Sequence, residues 1–312
     1  MLTHFKKVAA TSLFNAARWI FITLLVSLFT LPASLFSQDY AGLSRLKGYQ
    51  TSVYHSEGAK ERAKTLAGRY DNVLRFYKEM LVFEPSVVLL VLSPEDWSKY
   101  TNFPVYGMPH YDDKKTLIVA SEDNAFWKSF IPPVSQLPKA LAEQITSTYS
   151  DKNGALSMQS FFDLLAIHEL GHAYHFQRQL TMQRKWMGEL FANIFLHTYI
   201  AENEPGLLPA LTVFPKMVVA GDKSGWKYTR LNDLENNYDL IGQQYPQNYG
   251  WYQSRWHIAA GNIYDTGGIA AFKNLWSLLQ SQQEILDDGA FAKLLAQKAH
   301  QSIADVYLKW DE

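Results

Sequence analysis

The chain has 312 residues, 47% of them hydrophobic and 19% charged, with a formal net charge of −1. That length allows one large domain or two medium ones with a real core, and the balanced charge, free of like-charge blocks, gives no sign of a nucleic-acid surface. The absence of cysteine excludes disulfides, thiolate metal sites and a cysteine nucleophile, so any metal must be held by imidazole and carboxylate.

The first 18 residues carry Lys6, Lys7 and Arg18 and no acid. An apolar run follows from Trp19 to Leu31, then small residues and a break in PASLFSQDY. Basic, apolar and cleavable segments in that order predict a signal peptide over residues 1–37, cut near Ser37–Gln38. The chain is then expected to be exported, to a periplasm or the outside, with no stable membrane span after cleavage. The alternative is an uncleaved anchor, because Trp19 to Phe36 is just long enough to span.

In the mature chain, 38–312, residues 49–55 alternate loosely and predict a strand. Ala63, Leu66, Ala67, Tyr70, Val73, Leu74, Tyr77 and Met80 then recur at helical steps and predict an amphipathic helix. SVVLLVLS, 86–93, is a continuous apolar run and predicts a buried strand. KTLIVA, 115–120, predicts another. This N-terminal part, 38–156, reads as a small β-sheet with a packed helix, and the part from 157 to 312 reads as mostly α-helical, which makes the class α+β. Helices are expected over 160–180, 188–201 and 252–265, and in two or three pieces from Ile269 on. Gly267–Gly268 reads as a helix stop, and 203–228, with two prolines and three glycines, as a loop.

The chemistry-bearing stretch is His168–Glu169–Leu170–Gly171–His172. Positions i and i+4 lie one turn apart on one helix face, so His168 and His172 can share one tetrahedral Zn2+. Glu169 projects beside them, where it can take a proton from a water held by the metal. With nine histidines in the chain, composition alone gives such a match about once in a hundred sequences. The apolar run FFDLLAI before the motif puts it on a buried helix, where two imidazoles and a carboxylate need partners.

A third ligand should come from a neighbouring helix. Glu189 follows His172 by 17 positions in WMGELFAN, with TMQRK available to turn the chain. Asn193, one turn beyond Glu189, can hydrogen-bond a ligating histidine. Glu202 and Glu204 are weaker candidates beside Pro205. His110, His175, His197 and His300 read as structural or exposed.

HELGH followed by W-x-x-E-x-x-A-N resembles the gluzincin branch of the zincin metallopeptidases, the group of the thermolysin-like enzymes. The stretch NYGWYQSRWHIAAGNIYDTGG and the C-terminal FAKLLAQKAHQSIADVYLKW are similar to small exported peptidase-MA-like proteins. The resemblance implies a zinc-dependent hydrolase cutting peptide or protein substrates. His168, His172 and Glu189 would then bind Zn2+, Glu169 would be the general base, and Asn193 would brace a histidine. It also implies a tyrosine or histidine reaching the oxyanion. Tyr249, Tyr252 and His257 are the candidates, with Tyr252 favoured, and an edge strand, KTLIVA, could lie over the site and pair with an extended peptide. The rival expectations are a zinc hydrolase of a non-peptide amide or ester, a zinc-binding protein without catalysis, and an anchored domain that recruits a partner.

Overall fold

Alternating and continuous apolar runs in the first third of the chain build a five-stranded mixed sheet. The computed structural model describes residues 40–151 and 153–312, so the predicted signal segment, residues 1–37, lies outside the described residues. The strands are β1 (Ser44–Leu46), β2 (Ser52–His55), β3 (Val88–Leu92), β4 (His110–Tyr111) and β5 (Thr116–Ala120), in the order β1-β2-β3-β5-β4. The three central strands run parallel, and the two outer ones are antiparallel to their neighbours. Parallel neighbours need a crossover, and helix α1 (Lys60–Leu81) supplies the one between β2 and β3. Its predicted stripe is buried except at its end: Ala63, Leu66, Ala67, Tyr70, Val73, Leu74 and Tyr77 face inward, and Met80 is half-buried. Two short helices, α2 (Pro94–Tyr100) and α3 (Ala125–Lys128), flank β4 and β5 in the chain.

The rest is helical: α4 (Lys139–Tyr149), α5 (Gln159–Arg178), α6 (Lys185–Asn203), α7 (Leu208–Ala220), α8 (Leu231–Gln244), α9 (Pro246–Ser281), α10 (Asp288–Lys298) and α11 (Gln301–Leu308). The class is α+β, with the sheet near the N-terminus and helices after it. Residues Gly42–Glu312 form one compact unit, and none of its helices is long and apolar enough to cross a membrane among the described residues.

Helix α6 is the centre of this unit. Every residue from Trp186 to Ile200 is buried, as expected for a helix enclosed on all sides. It packs against α5, α7, α8 and α9. Gly171 permits a close approach of α5: a Cβ there would lie 3.0 Å from Ala192 Cα. The α5 helix also packs on β4 and β5. Arg62 of α1 pins that junction, with Nη2 2.6 Å from Asp163 Oδ1 on α5 and Nε donating to the Ala120 carbonyl of β5 at 2.8 Å.

Three expectations need correction. Residues 203–228 are not one loop, because Leu208–Ala220 is helix α7 with Pro215 inside it. Its apolar residues Ala210, Leu211 and Phe214 are buried, and that packing outweighs the missing proline N–H. KTLIVA is not an edge strand: β5 pairs with β3 on one side and with β4 on the other. The predicted stop at Gly267–Gly268 is a sharp kink inside α9, where Gly268 takes φ 56° and ψ −160° before the helix resumes.

Candidate metal centre

Helix α5 carries His168 and His172 on one face, and the close α5–α6 contact at Gly171 brings Glu189 against them. His168 Nε2 and His172 Nε2 are 3.0 Å apart. Glu189 Oε2 stands 3.3 Å from the first and 3.6 Å from the second. A tetrahedral ion with bonds of about 2.0–2.1 Å needs donor atoms about 3.3 Å apart. The triangle therefore has the edges, and the two-nitrogen, one-oxygen donor set, that Zn2+ prefers. His168 and Glu189 are almost fully buried, so without a cation or protons between them these groups would face one another at heavy cost.

The electrostatics express that tension. Burial opposes charge on His172, but the Glu189 carboxylate beside it raises its pKa above the ordinary imidazole value. Burial would likewise raise Glu189, yet His172 and His168 hold it well below the usual carboxylate range. The His172 imidazole and the Glu189 carboxylate favour each other's charged forms, and a metal ion would supply that positive charge instead.

Glu169 lies at the same place in a different role. His168, Glu169 and His172 offer ligand atoms within 4.8 Å of one another. Glu169 Oε2, however, accepts the Tyr111 N–H of β4 at 3.1 Å. Of the two carboxylates, Glu189 closes the tighter triangle, and Glu169 stands beside it, fixed in orientation by the strand. The strand at this edge of the sheet is β4, and its outward N–H at Tyr111 is already given to Glu169.

A polar shell holds Glu189. Tyr238 of α8 donates its hydroxyl to Glu189 Oε1, and Gln253 of α9 donates Nε2 to Glu189 Oε2 at 2.6 Å. Tyr249 OH accepts from Gln253 Nε2 at 2.9 Å and lies 3.2 Å from Tyr238 OH. Asn193 is brought to this shell, but not as expected. Its Nδ2 donates to the Glu189 carbonyl at 3.0 Å and to Gln253 Oε1 at 3.1 Å. Its Oδ1 and His168 Nδ1 are both buried without a hydrogen-bond partner. Asn193 thus braces Gln253, a support of Glu189, rather than a histidine.

Of the three oxyanion candidates only Tyr249 is at the site. Burial, with Glu189 and Glu169 among its charged neighbours, pushes its phenol well above the usual range. Tyr252 is excluded by its surroundings. It is fully buried, its hydroxyl donates to the Arg230 carbonyl at 2.8 Å, and its ring stacks on Trp310. No substrate oxygen can reach it. His257 is buried with its ring centroid 6.5 Å from that of His168, and burial holds its pKa well below the ordinary value, so it is neutral.

Sequence reasoning missed two partners. Tyr238 sits on α8, a helix that carried no clear signal. His175, expected to be structural or exposed, is buried, and its Nε2 lies 2.9 Å from His172 Nδ1. It holds the His172 ring on the side away from the triangle, the kind of contact that metal-bound histidines commonly make. The signal was present as a third histidine three positions after His172. The rejected carboxylates are occupied elsewhere: Glu204 pairs with Arg69 at 3.1 Å, and Glu202 accepts from Tyr264 OH at 2.7 Å. His110 and His300 are structural, bonded to Thr101 at 2.7 Å and to Ser302 at 2.7 Å.

The chain matches no family model, no curated protein and no solved structure.

Proposed function

We propose that the protein is a zinc-dependent hydrolase that cuts peptide bonds outside the cytosol, with His168, His172 and Glu189 holding the ion. The observation that carries the proposal is the triangle of Nε2, Nε2 and Oε2 atoms with edges of 3.0, 3.3 and 3.6 Å, flanked by a second carboxylate left out of it. When bound, zinc would supply Lewis acidity and bring the pKa of a water toward about 7. The chain's own groups would do the rest. Glu169 is oriented by Tyr111 N–H through Oε2, so Oε1 is the oxygen placed to take a proton. The same carboxylate can return that proton to the leaving amine. Tyr249 keeps its phenolic proton because its pKa is raised, so it can donate to an oxygen gaining negative charge. Tyr238 and Gln253 hold Glu189 in place during turnover.

A site that holds metal for structure alone needs no general base, and Glu169 supports catalysis on that ground. The test is Glu169→Gln against the wild type at matched zinc content, on a mixed peptide pool. The variant is expected to keep about one zinc per chain and to lose about 10²–10⁴-fold in rate. Equal cleavage by both removes the general-base role. A wild type that carries zinc and cuts nothing favours the non-catalytic or non-peptide reading. A wild type without zinc after gentle purification removes the metal itself.

A further inference from the structure

A cavity of about 230 Å³ lies between α7 and α9, over His197 of α6, and shares no residue with the metal triangle. We propose that it binds a small zwitterion, an α-amino acid with an aliphatic side chain. Binding there is independent of the peptidase reading.

The floor of the cavity asks for a polar partner. His197 and His257 both line it and are more than nine-tenths buried. His197 Nδ1 has no hydrogen-bond partner, a costly state for a buried polar atom. Burial holds the His197 pKa below the ordinary imidazole value. The ring is then neutral at pH 7 and offers one donor and one acceptor rather than a charge. Gly261 of α9 keeps that ring uncovered. The three atoms nearest to a Cβ placed there would all belong to His197, from Cε1 at 3.2 Å to Nδ1 at 3.8 Å. Glycine weakens a helix interior, and at Gly261 the imidazole is what stands in the way of a larger residue.

The rim carries both signs of charge. Lys216 of α7 and Asp265 of α9 line the cavity and are exposed. Both act on His197 through their charges, Asp265 favouring its protonated form and Lys216 opposing it, so both lie within reach of the same ring. Among the described residues, neither takes part in an ion pair. An unpaired cation and an unpaired anion above one neutral floor match a ligand that carries both charges, with its carboxylate toward Lys216 and its ammonium toward Asp265. Leu208, Pro215 and Ile258 supply apolar wall, which suits an aliphatic side chain. The volume falls below the range of about 300–1,000 Å³ typical of sites for drug-sized ligands, which favours a single amino acid over a peptide. A metal ion is a poorer match: among the described residues only His168, Glu169 and His172 bring three ligand atoms within 4.8 Å of one another.

Ligand-detected NMR titration of the purified protein with L-leucine tests the proposal, before and after a chelator has stripped any metal. Two analogues each lack one charge: 4-methylpentanoate has no ammonium, and 3-methylbutylamine has no carboxylate. Leucine is expected to bind with a Kd of about 1 mM or tighter, and each analogue about tenfold or more weakly. Stripping metal should leave these affinities unchanged. Lys216→Ala should weaken leucine by about tenfold and leave 3-methylbutylamine unaffected. Asp265→Ala should weaken leucine to a similar degree and should not weaken 4-methylpentanoate. Both positions are exposed, so each variant should melt near the wild type. Absence of leucine binding, an analogue that binds as tightly as leucine, or binding that disappears with the metal overturns the proposal. The peptidase reading fails on a separate measurement, cleavage by the wild type against Glu169→Gln, so neither result decides the other.

Discussion

Tyr249 and Tyr252 stand three positions apart on one helix and face different surroundings. Tyr249 lies one turn before Gln253, and both point at Glu189. Tyr252 lies one turn before Trp256 and joins the rings around Trp310. The roles can be separated by removing one oxygen atom from each. Tyr249→Phe is expected to lower kcat on a peptide by about 10²-fold or more, as loss of an oxyanion donor does. Zinc content should stay near that of the wild type, because Tyr238 and Gln253 still hold Glu189. Tyr252→Phe is expected to leave kcat unchanged and to cost about 1 kcal/mol of stability, one buried hydrogen bond. Stopped assays and denaturant melts on both variants decide it; a kcat effect at Tyr252 equal to that at Tyr249 would sink the assignment.

Between elements, the critical dimension is the gap between α5 and α6. The motif residue Gly171 lets the two backbones meet, and Glu189 reaches the histidines only because they do. Gly171→Ala would place a methyl 3.0 Å from Ala192 Cα and 3.2 Å from its Cβ. Neither atom belongs to a flexible side chain, so α6 must retreat by a few tenths of an ångström. Metal bonds tolerate only about ±0.2 Å, so zinc affinity should fall by about tenfold or more while helix content stays the same. Competition with a fluorescent chelator measures this, and unchanged affinity would show that the contact does not position Glu189. The pattern of helices and strands explains what could be read in advance. His168 and His172 were legible because their spacing is local, and Glu189 because a short turn and a helical step place it. The phase of α9 was not legible. The sequence suggested a helix from Tyr252, whereas the helix begins at Pro246. Starting six residues earlier is what puts Tyr249 on the helix, one turn before Gln253 and on the same face. Helix α8 was missed because nine of its 14 residues are Asn, Asp, Gln, Glu or Gly, and only tertiary packing selects its inner face. The edge position was misassigned because the two-residue β4 is too short to register as a pattern.

For the molecule as a whole, the candidate metal centre is a buried ionic cluster that links stability to pH. His172 has a raised pKa in the folded chain. Its contribution in the metal-free protein is fully present below about 6.5 and is lost as pH rises through the folded value. Glu189 has a depressed pKa. Its contribution is present above about 4.3 and is lost as pH falls through the folded value. The metal-free protein should therefore gain most from this pair between about pH 4.3 and 6.5. Zinc requires His172 without its extra proton, so its binding should release a proton and strengthen with rising pH. The rise in melting temperature on adding zinc is accordingly expected to be larger at pH 8 than at pH 6. Scanning calorimetry with and without the metal measures it. A rise independent of pH would show that the cluster does not exchange a proton for the ion.

The ring cluster that encloses Tyr252 has an optical consequence. Tyr252 and Trp310 lie nearly parallel, 10° apart with centroids at 5.8 Å, and Trp256 is tilted only 28° from Tyr252. Arg255 caps the stack with its guanidinium carbon 4.0 Å from the Trp310 ring centre, and Trp310 Nε1 donates to the Thr229 carbonyl at 2.8 Å. Chromophores held so close in a fixed asymmetric array couple their transitions, giving near-ultraviolet circular dichroism that a freely rotating indole lacks. Because this array joins the chain's last turn to α9 and to the approach to α8, its signal reports the docking of the C-terminal segment without any label. Trp310→Phe should remove most of that signal while leaving the far-ultraviolet helix bands in place.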